Sequence, residues 1–253
     1  MSRTQTVREI ALEQPAAIRV FEQFGIDYCC GGRKPLTEAC AAANLQIDLV
    51  LSAIATATRH AAPDTKDWTH ASLESLIRHI VATHHAYVLR ELPRLATLAQ
   101  KVVNRHGDTQ AHLPMIQIKI AQLAAELTQH LAKEESILFP YIIEVERSLV
   151  EGVPAPPSCF GTITNPIAMM TAEHDAAGTL LADIRSLSRN FTPPIGACPT
   201  YVGFYVALKE FEQDLHQHIH LENNILFPRA IALDPQAAAT QLSAIESSVA
   251  RGN

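Results

Sequence analysis

A chain of 253 residues with 47% hydrophobic content has enough apolar matter for one large or two small folded domains, and its composition is not that of a disordered segment. A net charge of -6 and a pI near 6.0 lack the basic excess that nucleic-acid binding needs, so no DNA or RNA partner is expected. No apolar run approaches the roughly 18–20 residues of a membrane span, and the opening Met-Ser-Arg-Thr-Gln-Thr has no signal-peptide core, so the expectation is a cytoplasmic protein without a membrane partner.

The first sixty residues read as four short helices. Thr4 to Glu13 is the first; Pro15 then opens Ala16 to Phe24, with Gly25 as its stop. A turn follows, Gly25-Ile-Asp-Tyr-Cys29-Cys30-Gly31-Gly32-Arg33-Lys34-Pro35, bounded by glycine and proline. Leu36 to Asn44 and Ile47 to Arg59 resume helical patterning. The proline-containing, polar stretch from His60 to His70 marks a boundary, giving a small all-α domain over residues 1–62.

Residues 72–235 carry four longer helical patterns. Leu73, Leu76, Ile77, Ile80, Val81, Val88 and Leu92 recur at three and four, and Pro93 should kink this helix rather than end it. Pro114 opens the second, which runs past His130 to Phe139-Pro140. The glycine- and proline-rich stretch 152–161 is a loop. Asn165-Pro166 starts the third helix, which holds Glu173-His174-Asp175, and the fourth runs from Tyr201 to Phe227-Pro228. Two similar hairpins of this kind make an up-down four-helix bundle, and the tail 236–253 holds at most one more short helix.

The bundle contains a written-out repeat. His130-Leu-Ala-Lys-Glu134-Glu135-Ser-Ile-Leu-Phe-Pro140 returns as His218-Ile-His-Leu-Glu222-Asn-Asn-Ile-Leu-Phe-Pro228. In each copy a His and a Glu stand four apart, on one helix face one turn from each other. A further His precedes each copy at matching distance, His85 before His130 and His174 before His218. Surface residues on amphipathic helices would explain one such pair, but a repeat at the same offset from Ile-Leu-Phe-Pro is better explained by a shared metal. Ile137 and Ile225, two turns beyond their His, then point that face toward the core. Four imidazoles and two carboxylates without thiolate suit iron or manganese, and two glutamates able to bridge make two non-haem iron ions the economical reading, with positions left open for a small ligand. Periodicity alone leaves His84 and His85 open as alternatives. His79, His216 and His220 fall on other faces, second-layer or exposed, while His60, His70, His106 and His112 read as linker or loop residues.

Adjacent Cys29 and Cys30 form no ordinary staple, because a disulfide between neighbours strains the backbone. Two readings stand. One is a pair of small buried side chains in a turn; the other, suggested by Arg33, Lys34 and the glycines Gly31 and Gly32, is an exposed thiolate of lowered pKa that meets a soft metal ion or a thiol. Cys40, Cys159 and Cys198 have no such setting.

Asp27-Tyr-Cys-Cys-Gly-Gly32 in a small helical domain, followed by paired His-x-x-x-Glu hairpins, resembles the repair-of-iron-centres (RIC) family of the YtfE/ScdA type over nearly the whole chain. The resemblance implies a hemerythrin-like bundle holding an oxo- and carboxylate-bridged di-iron centre. It selects His85, through the Arg-Glu-Leu-Pro93 stretch that follows, and makes His85, His130, His174 and His218 terminal ligands, with Glu134 and Glu222 bridging. Cys29 and Cys30 would match the family's cysteine pair. The activity implied is repair of iron-sulfur clusters damaged by nitric oxide or oxidants, with iron delivered to damaged client proteins by a monomer or dimer. Reduction of nitric oxide, or sensing of nitric oxide or O2 at the same centre, is the alternative.

Overall fold

In the computed structural model the described residues are 4–59 and 67–234, and they fall into two compact units. One comprises residues up to Ala71 together with His216–Ile225; the other takes Ser72–Leu215 and the residues from Leu226 onward. The expected tail helix beyond Pro235, and His60, lie outside the described residues. Among those described there is no strand, and no single helix is long and apolar enough to cross a membrane.

The first unit holds α1 (Val7–Glu13), α2 (Ala17–Phe24), α3 (Leu36–Ala42) and α4 (Ile47–Arg59). Thr6 starts α1 as half of a reciprocal cap: its hydroxyl accepts from the Glu9 N–H while the Glu9 carboxylate accepts from the Thr6 N–H. Gly25 ends α2 at φ 68°, a left-handed conformation that glycine adopts without strain. Val7, Ile10, Val20, Phe21, Leu36, Val50 and Ile54 form one buried core with Tyr28, whose ring stacks with that of Phe21.

The turn that follows α2 is held from within. Both carboxylate oxygens of Asp27 are used: the backbone N–H groups of Cys29 and Cys30 donate to Oδ1 at 3.0 Å each, and that of Gly31 to Oδ2 at 2.8 Å. The two glycines are not there for flexibility. A Cβ on Gly32 would lie 2.6 Å from the Tyr28 carbonyl oxygen, and one on Gly31 2.8 Å from Asp27 Oδ2, so both mark close approach.

The second unit contains α5 (Leu73–Ile80), α6 (Ala86–His106), α7 (His112–Lys133), α8 (Phe139–Glu151), α9 (Thr164–Leu187) and the first part of α10 (Pro199–Leu221), with α11 (Phe227–Leu233) after it. Three helices are interrupted by five-residue π-turns, in which the chain winds one residue wider: Val81–His85, Glu134–Leu138 and Glu222–Leu226. Around the bundle, α6 packs on α7 and α7 on α9. Arg185 on α9 donates to the buried carboxylate of Glu212 on α10, and Asp214 on α10 meets His84 Nδ1 at 3.0 Å. The four helix columns thus form a closed ring. Pro93 lies inside the continuous α6 and does not end it, as its position predicts.

The π-turns overturn one expectation. Ile137 is 47% exposed, whereas Leu138 is 2% exposed. The extra residue in the turn rotates everything after Glu134, so the inward place two turns beyond His130 passes from Ile137 to Leu138. In the second copy Ile225 and Leu226 are both buried.

Candidate metal centre

Each π-turn carries one of the residues singled out by the repeat. His85 closes the first, Glu134 opens the second and Glu222 opens the third. A π-turn lets a residue face inward that a regular helix would carry past the axis, and such turns recur at functional sites. His85, His130, Glu134, His174, His218 and Glu222 are all buried.

Their donor atoms gather in two groups. His85, Glu134, His218 and Glu222 form one, His130, Glu134, His174 and Glu222 the other; within each, one donor atom from every residue lies within 4.8 Å of the rest. The two carboxylates belong to both groups and the four imidazoles to one each. His130 Nε2 and His174 Nε2 are 3.0 Å apart, a separation suited to neighbouring donors on one ion. Glu134 Oε2 lies 3.4 Å from His130 Nε2 and 3.5 Å from His85 Nε2, and Glu222 Oε1 lies 2.9 Å from His218 Nε2.

Backing carboxylates fix which ring nitrogen faces inward. His85 Nδ1 is 2.8 Å from Glu135 Oε1, and His130 Nδ1 is 2.8 Å from Glu173 Oε2. An ionised carboxylate only accepts, so in both rings Nδ1 carries the hydrogen and Nε2 presents its lone pair to the cluster. Burial pushes the Glu173 pKa up, but hydrogen bonds from Lys133 and His130 outweigh it and hold the carboxyl below the ordinary glutamate range. Glu135 and Glu173 were not anticipated as partners, although the acidic neighbours of Glu134 and His174 were the signal. The repeat's aromatic residues also serve the imidazoles: Phe139 stacks on His85 with ring centroids 5.6 Å apart, and Phe227 lies parallel to His174 at 6.0 Å.

The donor set passes a chemical test for a metal. Buried imidazoles and carboxylates without thiolate suit iron or manganese, and the inward Nε2 lone pairs are what ligation requires. His84, the alternative to His85, points elsewhere and pairs with Asp214.

The other histidines divide differently from expectation. His220 is buried: its Nδ1 lies 2.9 Å from the Asn224 amide nitrogen, and burial lowers its pKa to about 4, so the neutral ring accepts that hydrogen bond. His112 opens α7 instead of lying in a loop, with Nε2 3.0 and 3.1 Å from the hydroxyls of Tyr201 and Tyr205, and His106 ends α6 with Nε2 3.3 Å from Cys198 Sγ. His70 is exposed and pairs with Asp67, in keeping with a linker residue.

For Cys29 the exposed, activated thiolate is not what the turn provides. Neither Cys29 nor Cys30 is in a disulfide, and their sulfurs are 3.7 Å apart. Cys29 is buried, and the sulfur of Cys30, the loss of solvent and the Asp27 carboxylate all raise its pKa well above the ordinary thiol value. Cys30 is half-buried. Arg33 and Lys34 are exposed, and the groups that set the Cys29 thiol are Cys30, burial and Asp27 rather than these cations.

Comparison with known proteins agrees with this geometry. Residues 76–230 match the Hemerythrin HHE cation binding domain, and residues 3–58 match a domain described as of unknown function, DUF542. The iron-sulfur cluster repair proteins YtfE of Yersinia pseudotuberculosis (strains IP 31758 and YPIII) and of Yersinia pestis (strain Pestoides F) are each 38% identical over 229 residues, which is 90% of this chain and 97% of theirs.

Proposed function

We propose a function from the premise that the chain belongs to the hemerythrin-domain family of iron-sulfur cluster repair proteins. It repairs iron-sulfur clusters, and His85, His130, His174 and His218, together with the two glutamates common to both donor groups, Glu134 and Glu222, would hold two non-haem irons. The observation that carries this reading is the sharing of those two carboxylates by both donor groups. Bound iron would supply a labile, redox-capable metal ready for transfer.

The chain's own residues support that role in definite ways. Glu135 and Glu173 hold the His85 and His130 rings in the ligating tautomer, and Phe139 and Phe227 cover imidazole faces and keep water from them. Cys29 and Cys30 would receive iron on its way toward a damaged client, the metal displacing their thiol protons. Damage by nitric oxide or oxidants is the stress that calls on the protein, in a reducing cytoplasm where its cysteines remain thiols. Nitric oxide reduction and gas sensing are not favoured, since the relatives' names speak of cluster repair.

The test loads the protein with ferrous iron and incubates it with a cluster enzyme inactivated by nitric oxide. Recovery above that given by the same amount of free iron, and its loss in the Glu134→Ala, Glu222→Ala double variant, is the expected result. Recovery no better than free iron would remove the repair role; iron content unchanged in the double variant would remove the proposed ligands.

A further inference from the structure

Asn224 is the third residue of the π-turn that begins at Glu222; its side chain contacts the cysteine turn at Tyr28, and its backbone carbonyl is held by Arg8 of α1. Its amide nitrogen donates one hydrogen to the Tyr28 carbonyl at 3.1 Å and the other to His220 Nδ1 at 2.9 Å. Its own carbonyl accepts from Arg8 Nη2 at 3.0 Å. Asn224 is 7% exposed, so these bonds are made away from water, where losing one is costly. Tyr28 is held in place by more than Asn224. Its ring meets the edges of His216 and His220 at 6.2 and 5.5 Å, and its hydroxyl donates to Glu22.

The Tyr28 carbonyl is also a fixed point of the cysteine turn. Gly32 packs so closely on that oxygen that no side chain fits, and the Gly32 carbonyl accepts from the Arg8 N–H at 2.7 Å. Arg8 therefore grips the turn through its backbone and the Asn224 carbonyl through its guanidinium. Asn224 grips Tyr28, the residue just before Cys29. A wide helical turn exchanges the i→i+4 bonds of an α-helix for i→i+5 ones, and Asn224 lies within it at the point where the bonds to Tyr28 and Arg8 are made.

We propose that Asn224 and Arg8 are positioning residues that couple the Asp27–Gly31 turn, with its two thiols, to the π-turn that presents Glu222. Movement of Glu222 on holding or releasing a metal is then felt at the thiols, and a change at the thiols is felt by Glu222, because coupling between two sites is reciprocal. The inference rests on the reading of Glu222 as a metal ligand.

Hydrogen exchange read by mass spectrometry tests it, on the full chain with and without excess ferrous iron under anaerobic conditions. The segment 27–31 reports the thiol turn, and the segment 134–138 reports whether iron is held at all. In the unmodified protein iron should slow exchange in both segments, by about fivefold or more at 27–31, the lower end of usual coupling strengths. Asn224→Asp, which keeps the shape but removes the donor, and Arg8→Ala, which leaves Asn224 intact, should reduce the effect at 27–31 below about twofold while 134–138 stays protected. Full protection of 27–31 in both variants would overturn the coupling. So would an unmodified protein in which iron protects 134–138 and leaves 27–31 unchanged. If iron protects neither segment and none is retained, the metal reading itself falls and takes this inference with it.

Discussion

Substituting Ile137 and Leu138 one at a time asks whether the wide turn at Glu134 exists. A regular helix continuing from His130 would bury Ile137; with the π-turn, Leu138 is 2% exposed and Ile137 stands 47% in solvent. Truncating a buried leucine to alanine removes its transfer energy and leaves a cavity, a loss of about 3 kcal/mol within a usual range of roughly 2–5. In a unit of this size that lowers the melting temperature by about 9 °C, at roughly 2–4 °C per kcal/mol. Ile137→Ala removes atoms already half in water and should cost less than about 1 kcal/mol, under about 3 °C. Both are measured by thermal circular dichroism in chelator, since bound metal stabilises the native state and would mask the difference. Equal losses, or a greater loss for Ile137→Ala, would refute the π-turn and with it the inward placement of Glu134.

Three more outcomes follow from the site and its surroundings. Glu135→Gln and Glu173→Gln should each weaken iron retention by about 10–100-fold against a competing chelator without unfolding the chain, and an unchanged affinity would show that neither carboxylate sets its imidazole. Iodoacetamide at neutral pH should modify exposed Cys159 well before buried Cys29, as followed by peptide mass spectrometry; comparable rates would contradict the raised Cys29 pKa. Burial pushes the Glu91 pKa up, but hydrogen bonds from Arg94 at 2.5 Å and Arg90 at 3.2 Å leave it below the usual 4.5. A depressed carboxylate contributes stability above its unfolded pKa and loses it as pH falls through the folded value. Urea midpoints of Glu91→Gln should therefore decline less than those of the unmodified chain between about pH 5 and 3, and parallel declines would sink the assignment.

Most of the centre was legible because its chemistry is spelled twice. A His and a Glu four apart, before the same apolar tetrad, constrain spacing and face together, and the four residues so chosen, with His174 at matching distance and the His85 that the family resemblance selected over His84, have donor atoms that gather. Helix limits followed from local signals: Gly25 stops α2, and Ile47–Arg59 forms as its pattern predicts. What stayed hidden depended on long-range partners. Periodicity assumes 3.6 residues per turn, so it could not foresee three wide turns, and it misplaced Ile137. Nor could it show that Asp27 lies against Cys29 while Arg33 and Lys34 face solvent. His112 and His106 read as loop residues because their tyrosine and cysteine partners lie some ninety positions away in the chain.

The Asp27 carboxylate, wedged among three amide hydrogens beside the Cys29 sulfur, has a bearing on what wakes that sulfur. A negative neighbour discourages loss of the thiol proton, so at rest Cys29 is a dormant nucleophile that passing electrophiles largely ignore. Such a turn keeps its thiol protonated, and so quiet, in the presence of small oxidants.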